Sequence, residues 1–158
     1  MTRRWCSIRL AIVSLVCSVA LPVHAQQTRI TAGGFTGSVG TATAADFVAG
    51  FRQAGSDVTL TVRNVSGATA RTYFIDIFSL NATLGGSKPL SDLEWRRTDL
   101  ATWNPMSATP TLVRSGAVPG VGVNVATGVR LRMRLNWATD IPATYSATVR
   151  YRLTVTTP

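Results

Sequence analysis

Val129-Arg130-Leu131-Arg132-Met133-Arg134-Leu135-Asn136-Trp137 alternates an apolar residue with a cationic or polar one throughout. Successive side chains of a strand point to opposite sides of the pleat, so this period of two marks a strand with one buried and one wetted face. After Ala138-Thr139-Asp140-Ile141-Pro142 the pattern resumes: Tyr145, Ala147, Val149, Tyr151, Leu153 and Val155 alternate with Ser146, Thr148, Arg150, Arg152, Thr154 and Thr156. The two runs are expected to pair as one long antiparallel hairpin.

Working upstream, Val58, Leu60 and Val62 alternate with Thr59, Thr61 and Arg63, and residues 64–70 are rich in turn formers. They lead into Tyr73-Phe74-Ile75-Asp76-Ile77-Phe78-Ser79-Leu80, which is apolar on both faces, as in a central strand. Weaker strands are expected at 28–32, 93–97, 111–114 and 121–125, each bounded by Gly or Pro. Residues 44–53 are the only helical candidate and read equally well as a strand. About seven or eight short strands between turns predict an all-β fold, an antiparallel immunoglobulin-like β-sandwich, with a closed barrel as the alternative.

The first residues follow a different logic. Arg3, Arg4 and Arg9 precede an apolar stretch from Leu10 to Leu21, and Val23-His24-Ala25 places small residues at the −3 and −1 positions of a cleavage site. Residues 1–25 are therefore expected to be a signal peptide, leaving residues 26–158 as a single domain. The apolar stretch is about 12 residues, short of the roughly 20 that a membrane-spanning helix needs. Cleavage removes three Arg and no acid, so the formal charge of +9 falls to +6. It also removes Cys6, Cys17 and His24, leaving no Cys and no His. Disulfides, thiol nucleophiles, Ser/His and Cys/His relays and His-based zinc or haem sites are thereby excluded. The expectation is a non-catalytic exported protein of the periplasm, cell surface or medium, without cofactor or metal.

Three groups of residues are candidate sites. On a hairpin, Arg130, Arg132 and Arg134 would share one sheet face with Arg150 and Arg152, alternate residues standing about 6.5–7 Å apart. Such a face suits an acidic polysaccharide, lipopolysaccharide phosphates or nucleic acid through bidentate contacts; the competing reading is a solvated face, or one paired with Asp92, Glu94 or Asp99. Nucleic acid is the least favoured polyanion, because no aromatic rings interleave with these arginines. Trp95 and Trp103 are ligand candidates because they lie in the irregular stretch 91–110, whereas Trp137, Tyr145 and Tyr151 fall on the apolar side of their strands and read as core. Asp92 and Glu94, two apart on a strand, overlap the carboxyl spacing of about 6.5–9.5 Å used by inverting glycosidases. Arg96 and Arg97 follow immediately, so ion pairing is the better reading. Gly33 to Gly40 holds no Lys for a phosphate loop, and Gly120-Val121-Gly122 lacks the third Gly of a dinucleotide fingerprint.

Leu135-Asn136-Trp137, followed by Ile141-Pro142-Ala143-Thr144-Tyr145-Ser146-Ala147-Thr148-Val149-Arg150-Tyr151, resembles the last hairpin of bacterial secreted and surface β-sandwich domains of the spore-coat-U-like and WxL types. There a Pro-Ala-Gly-Thr-Tyr-like turn opens the final strand. The resemblance implies an extracellular bacterial sandwich. Together these readings predict a structural or adhesive envelope protein whose partners are itself or other envelope proteins. Residues 26–39 would add as a strand to a neighbour's sheet edge, form the first strand of their own sheet, or be disordered. The alternatives are a monomeric module that binds acidic glycans through the arginine face and, more remotely, a glycan hydrolase using Asp92 and Glu94.

Overall fold

In chain order the strands are β1 (Thr28–Gly33), β2 (Phe51–Gln53), β3 (Val58–Asn64), β4 (Thr72–Ser79), β5 (Thr83–Gly85), β6 (Lys88–Pro89), β7 (Leu93–Arg97), β8 (Asn104–Pro105), β9 (Thr111–Ala117), β10 (Asn124–Arg134) and β11 (Val149–Val155). One helix, α1 (Ala44–Ala49), precedes β2, and a 3₁₀ turn spans Leu90–Asp92. The structure, a computed structural model, describes residues 28–33, 42–66, 70–140 and 145–156. The expected signal peptide 1–25, all but the start of the Gly33–Gly40 stretch and the turn residues 141–144 lie outside the described residues.

The alternation at Val129 belongs to β10, the spine of the larger sheet, whose order is β1-β3-β10-β7-β8. One side of β10 pairs with β3 along Asn124–Val129 and then with β2 along Arg132–Arg134; the other side pairs with β7 from Val129 to Met133. A second sheet runs β11-β4-β9, with β4 in the centre, where a strand apolar on both faces belongs. These ladders are antiparallel, and neither sheet closes on itself, which removes the barrel.

One core holds residues of both sheets: Leu60, Val62, Val129 and Leu131 from the larger, Tyr73, Ile75 and Ile77 from the smaller. Each such side chain stabilises the fold by about 1.5–3 kcal/mol relative to exposure. Register follows from the pleat. Val62 faces Val125, and Val58 faces Val129, on the buried side; a slip by one residue would drive Arg63 or Arg130 into the core.

Three expectations are corrected. The hairpin does not form: β10 and β11 lie in different sheets, because β11 pairs along its whole length with β4 while both sides of β10 are already filled. The chain between Arg134 and Val149 is also far longer than the two to five residues of a usual hairpin loop. The runs 121–125 and 129–137 are not two strands. Val121 makes only an isolated bridge to Asn64, and the strand is continuous from Asn124 to Arg134. The strand therefore stops before Trp137, which is 63% exposed and not part of the core.

Residues 44–53 satisfy both of their readings, as a helix and then a strand. Thr43 and Asp46 form a capping box in which the Thr43 backbone N–H donates to Asp46 Oδ2 at 2.7 Å. Gly50, at φ 75°, ends the helix in the left-handed conformation that a glycine adopts without strain. The capping bonds and Arg52 hold the Asp46 carboxyl down at about 2. Leu131 is 3% exposed at the centre of the core. Leu131→Ala is expected to cost about 2–5 kcal/mol, seen as a lower urea midpoint with an unchanged slope.

Candidate functional site

The chain has seven acidic side chains, and each is ion-paired: Asp46 with Arg52, Asp57 with Arg130, Asp76 with Arg152, Asp92 and Asp140 with Lys88, Glu94 with Arg132, and Asp99 with Arg97. Strand register makes two of these pairs. Arg132 lies directly across from Glu94, its Nε donating to Oε2 at 2.6 Å, and Arg152 lies across from Asp76. Arg130 faces Arg96, a like-charge juxtaposition that is unfavourable by itself. Arg130 turns instead to Asp57, donating through Nε and Nη2 at 2.6 and 2.8 Å, and this fork lowers the Asp57 pKa. Arg96 donates to the carbonyl oxygen of Leu100 at 3.1 Å.

The five arginines of the expected cationic face are thus divided. Arg130, Arg132 and Arg134 stand on the outward side of the larger sheet, Arg150 and Arg152 on the smaller one. Three of the five are bound to carboxylates, those of Asp57, Glu94 and Asp76, and of the expected partners Asp92, Glu94 and Asp99 only Glu94 is among them. Arg134 and Arg150 are exposed and have no hydrogen-bond or ion-pair partner among the described residues. Trp103 is half-buried beneath the guanidinium groups of Arg132 and Arg96, at 4.2 and 5.0 Å from its ring centre, and Phe51 lies on the other flank of Arg132 at 5.0 Å. Trp103 thus packs against two guanidinium groups. Trp95 is 3% exposed in β7, opposite Leu131, and belongs to the core. Asp92 sits on the 3₁₀ turn and not on a strand, and with Glu94 in a separate ion pair the two do not form a free carboxylate pair.

The structure assembles a different site, which the sequence analysis missed. A cleft of about 860 Å³ lies between the end of α1, the β5–β6 turn, the 3₁₀ turn and the chain leaving β10. Beneath it Lys88, the only lysine of the chain, is 3% exposed. Its Nζ donates to Asp92 Oδ2 at 2.9 Å and to Asp140 Oδ2 at 2.6 Å, and lies 5.4 Å from the centre of the Tyr145 ring. Asp140 Oδ2 also accepts from the Asn136 backbone N–H at 2.9 Å, and Asn136 Oδ1 accepts from the Ala138 N–H at 2.9 Å. The turn that carries Trp137 is tied at both ends. Trp137 backs onto Phe47, with ring centres 4.5 Å apart and planes tilted by 31°. The residues come from three distant stretches of chain, and a lone lysine among arginines was the one sequence signal.

No protein-family model, curated protein or solved structure matches the chain.

Two outcomes test this description. Lys88→Met leaves Asp140, with a side chain 5% exposed, without its cation; the expected loss is about 3–5 kcal/mol in denaturant unfolding. Arg130→Gln removes the fork that holds Asp57 down. Carboxyl-carbon NMR should then show Asp57 titrating at a higher pH, toward the ordinary value near 3.9. The depressed carboxyl contributes stability at pH values above that unfolded-state value and loses it as pH falls through the folded one, so the variant's stability should depend less on pH in that acidic window.

Proposed function

We propose that the chain is an exported, non-catalytic envelope protein, built as an immunoglobulin-like β-sandwich, that assembles through its first strand. Two antiparallel sheets around one core support the sandwich, and the signal-peptide pattern of residues 1–25 supports export. The observation that carries assembly is β1. It is the edge strand of the larger sheet and pairs with β3 from Thr28 to Gly33, yet only Ile30 of its residues packs against the core. On the outward face Arg29 stands directly opposite Arg63, two like charges across the ladder. Neither has an ion-pair or hydrogen-bond partner among the described residues.

β1 also approaches β11, but with backbone bonds to one neighbour, a single apolar side chain in the core and a local repulsion, it is the edge element that opens at low cost. Its release uncovers the backbone donors and acceptors of β3 together with Val62 and Leu60, and the β1 of a second copy fits that slot with the same bonds. Such head-to-tail exchange produces open chains of protomers. What supports the non-catalytic reading is that no Cys or His follows residue 25 and that Asp92 and Glu94 sit in separate ion pairs.

Light scattering on the processed chain, over about two decades of concentration at low and high salt, tests this. The expected result is oligomers that grow with concentration and survive salt, because backbone bonds join them; a strict monomer throughout would overturn the proposal. Arg29→Glu creates an opposite-charge pair worth about 0.2–1 kcal/mol across β1 and β3. The same pair exists within and between chains, so it should slow oligomer formation by roughly 1.4- to 5-fold without abolishing it.

A further inference from the structure

We infer that the cleft beside Trp137 binds a sugar residue bearing one carboxylate, a uronic acid unit of an acidic polysaccharide. The inference stands on the cleft alone and does not rest on assembly through β1. Three observations lead to it. Trp137 holds its indole 63% exposed, although burial of so large a ring is favourable and Phe47 covers only one side of it. The ring is presented by a locked turn: Asn136 and Asp140 bond across it, and Lys88 ties Asp140 to Asp92 on the far wall. A flat apolar surface held rigidly at the rim of a cleft of about 860 Å³ is a prepared platform for a ring.

The polar groups around the platform select among rings. Asp92, its side chain 24% exposed, accepts from Lys88 through Oδ2, and its second oxygen remains to accept from ring hydroxyls. Arg134 also lines the cleft, with its guanidinium exposed and no partner among the described residues. That fork matches one carboxylate. The charges around the cleft balance, Lys88 and Arg134 against Asp92 and Asp140. A phosphate backbone would meet a single free cation and two carboxylates, whereas a pyranose presents an apolar face to the indole, hydroxyls to Asp92 and one carboxylate to Arg134.

Isothermal titration of the purified chain with a tetramer of galacturonic acid, its methyl ester and an eight-nucleotide thymidine strand decides the matter. The acid tetramer should bind, the ester about tenfold more weakly and the DNA more weakly than either. Trp137→Ala should lose at least about tenfold in affinity for both sugars while keeping its circular dichroism spectrum, the side chain being mostly outside the core. Arg134→Gln should bind acid and ester alike. Arg150→Gln removes an equally unpartnered charge on the other sheet and should change neither. Absence of binding by the acid tetramer, undiminished binding by Trp137→Ala, a preference for acid that survives Arg134→Gln, an equal loss in Arg150→Gln, or tighter binding of the DNA would each overturn the inference.

Discussion

Strand β10 must bury Val129, Leu131 and Met133 on one side of its pleat and keep Arg130, Arg132 and Arg134 in water on the other. A guanidinium taken out of water without a partner costs several kcal/mol, so the register of this strand cannot slip by one residue. With β10 set, its neighbours follow. Trp95 and Val58 are drawn to the buried face, and Glu94 falls opposite Arg132, where its charge is used. The larger sheet is the consequence of this one requirement repeated on both flanks. The smaller sheet answers it from the other side of the core with Tyr73, Ile75 and Ile77.

Charge is distributed by the same logic. Once every acidic side chain is paired, the surplus positive charge remains on arginines with no carboxylate opposite them. Among these, Arg29 stands on the edge strand β1 opposite Arg63 on β3, Arg134 at the mouth of the cleft and Arg150 on the smaller sheet. Of the paired arginines, Arg132 and Arg152 bridge neighbouring strands to Glu94 and Asp76. The unpaired ones mark places where something else can meet the surface, and both functional proposals are built on them.

Lys88 shows why residue identity matters in a chain that otherwise uses arginine. Its ammonium is a compact point with three donors, able to serve carboxylates from two separate turns beneath Tyr145. The planar fork of arginine suits a single carboxylate, as Arg130 does with Asp57. Burial of this cross-brace gives the Trp137 turn a fixed position on which a binding surface can rest.

Much of the fold was legible in the sequence. The alternation in β3, β10 and β11 and the two-sided apolar run of β4 identified strands, buried faces and the all-β class, because the pleat imposes its period on any sheet. Residues 44–53 stayed ambiguous between helix and strand, and the structure divides them between α1 and β2. Pairing was not legible: β10 and β11 alternate in the same way whether they lie side by side or in different sheets, so the hairpin expected from adjacency failed and its arginine face failed with it. Trp137 looked like core because it extends the alternation, but the chain turns after Arg134 to let Asp140 reach Lys88. The sequence by itself determined which residues must be hidden, since hydrophobicity and period are local. Only the tertiary structure decided which strands meet, which arginines find a carboxylate and which aromatic ring stays in water, because those outcomes depend on distances between residues far apart along the chain.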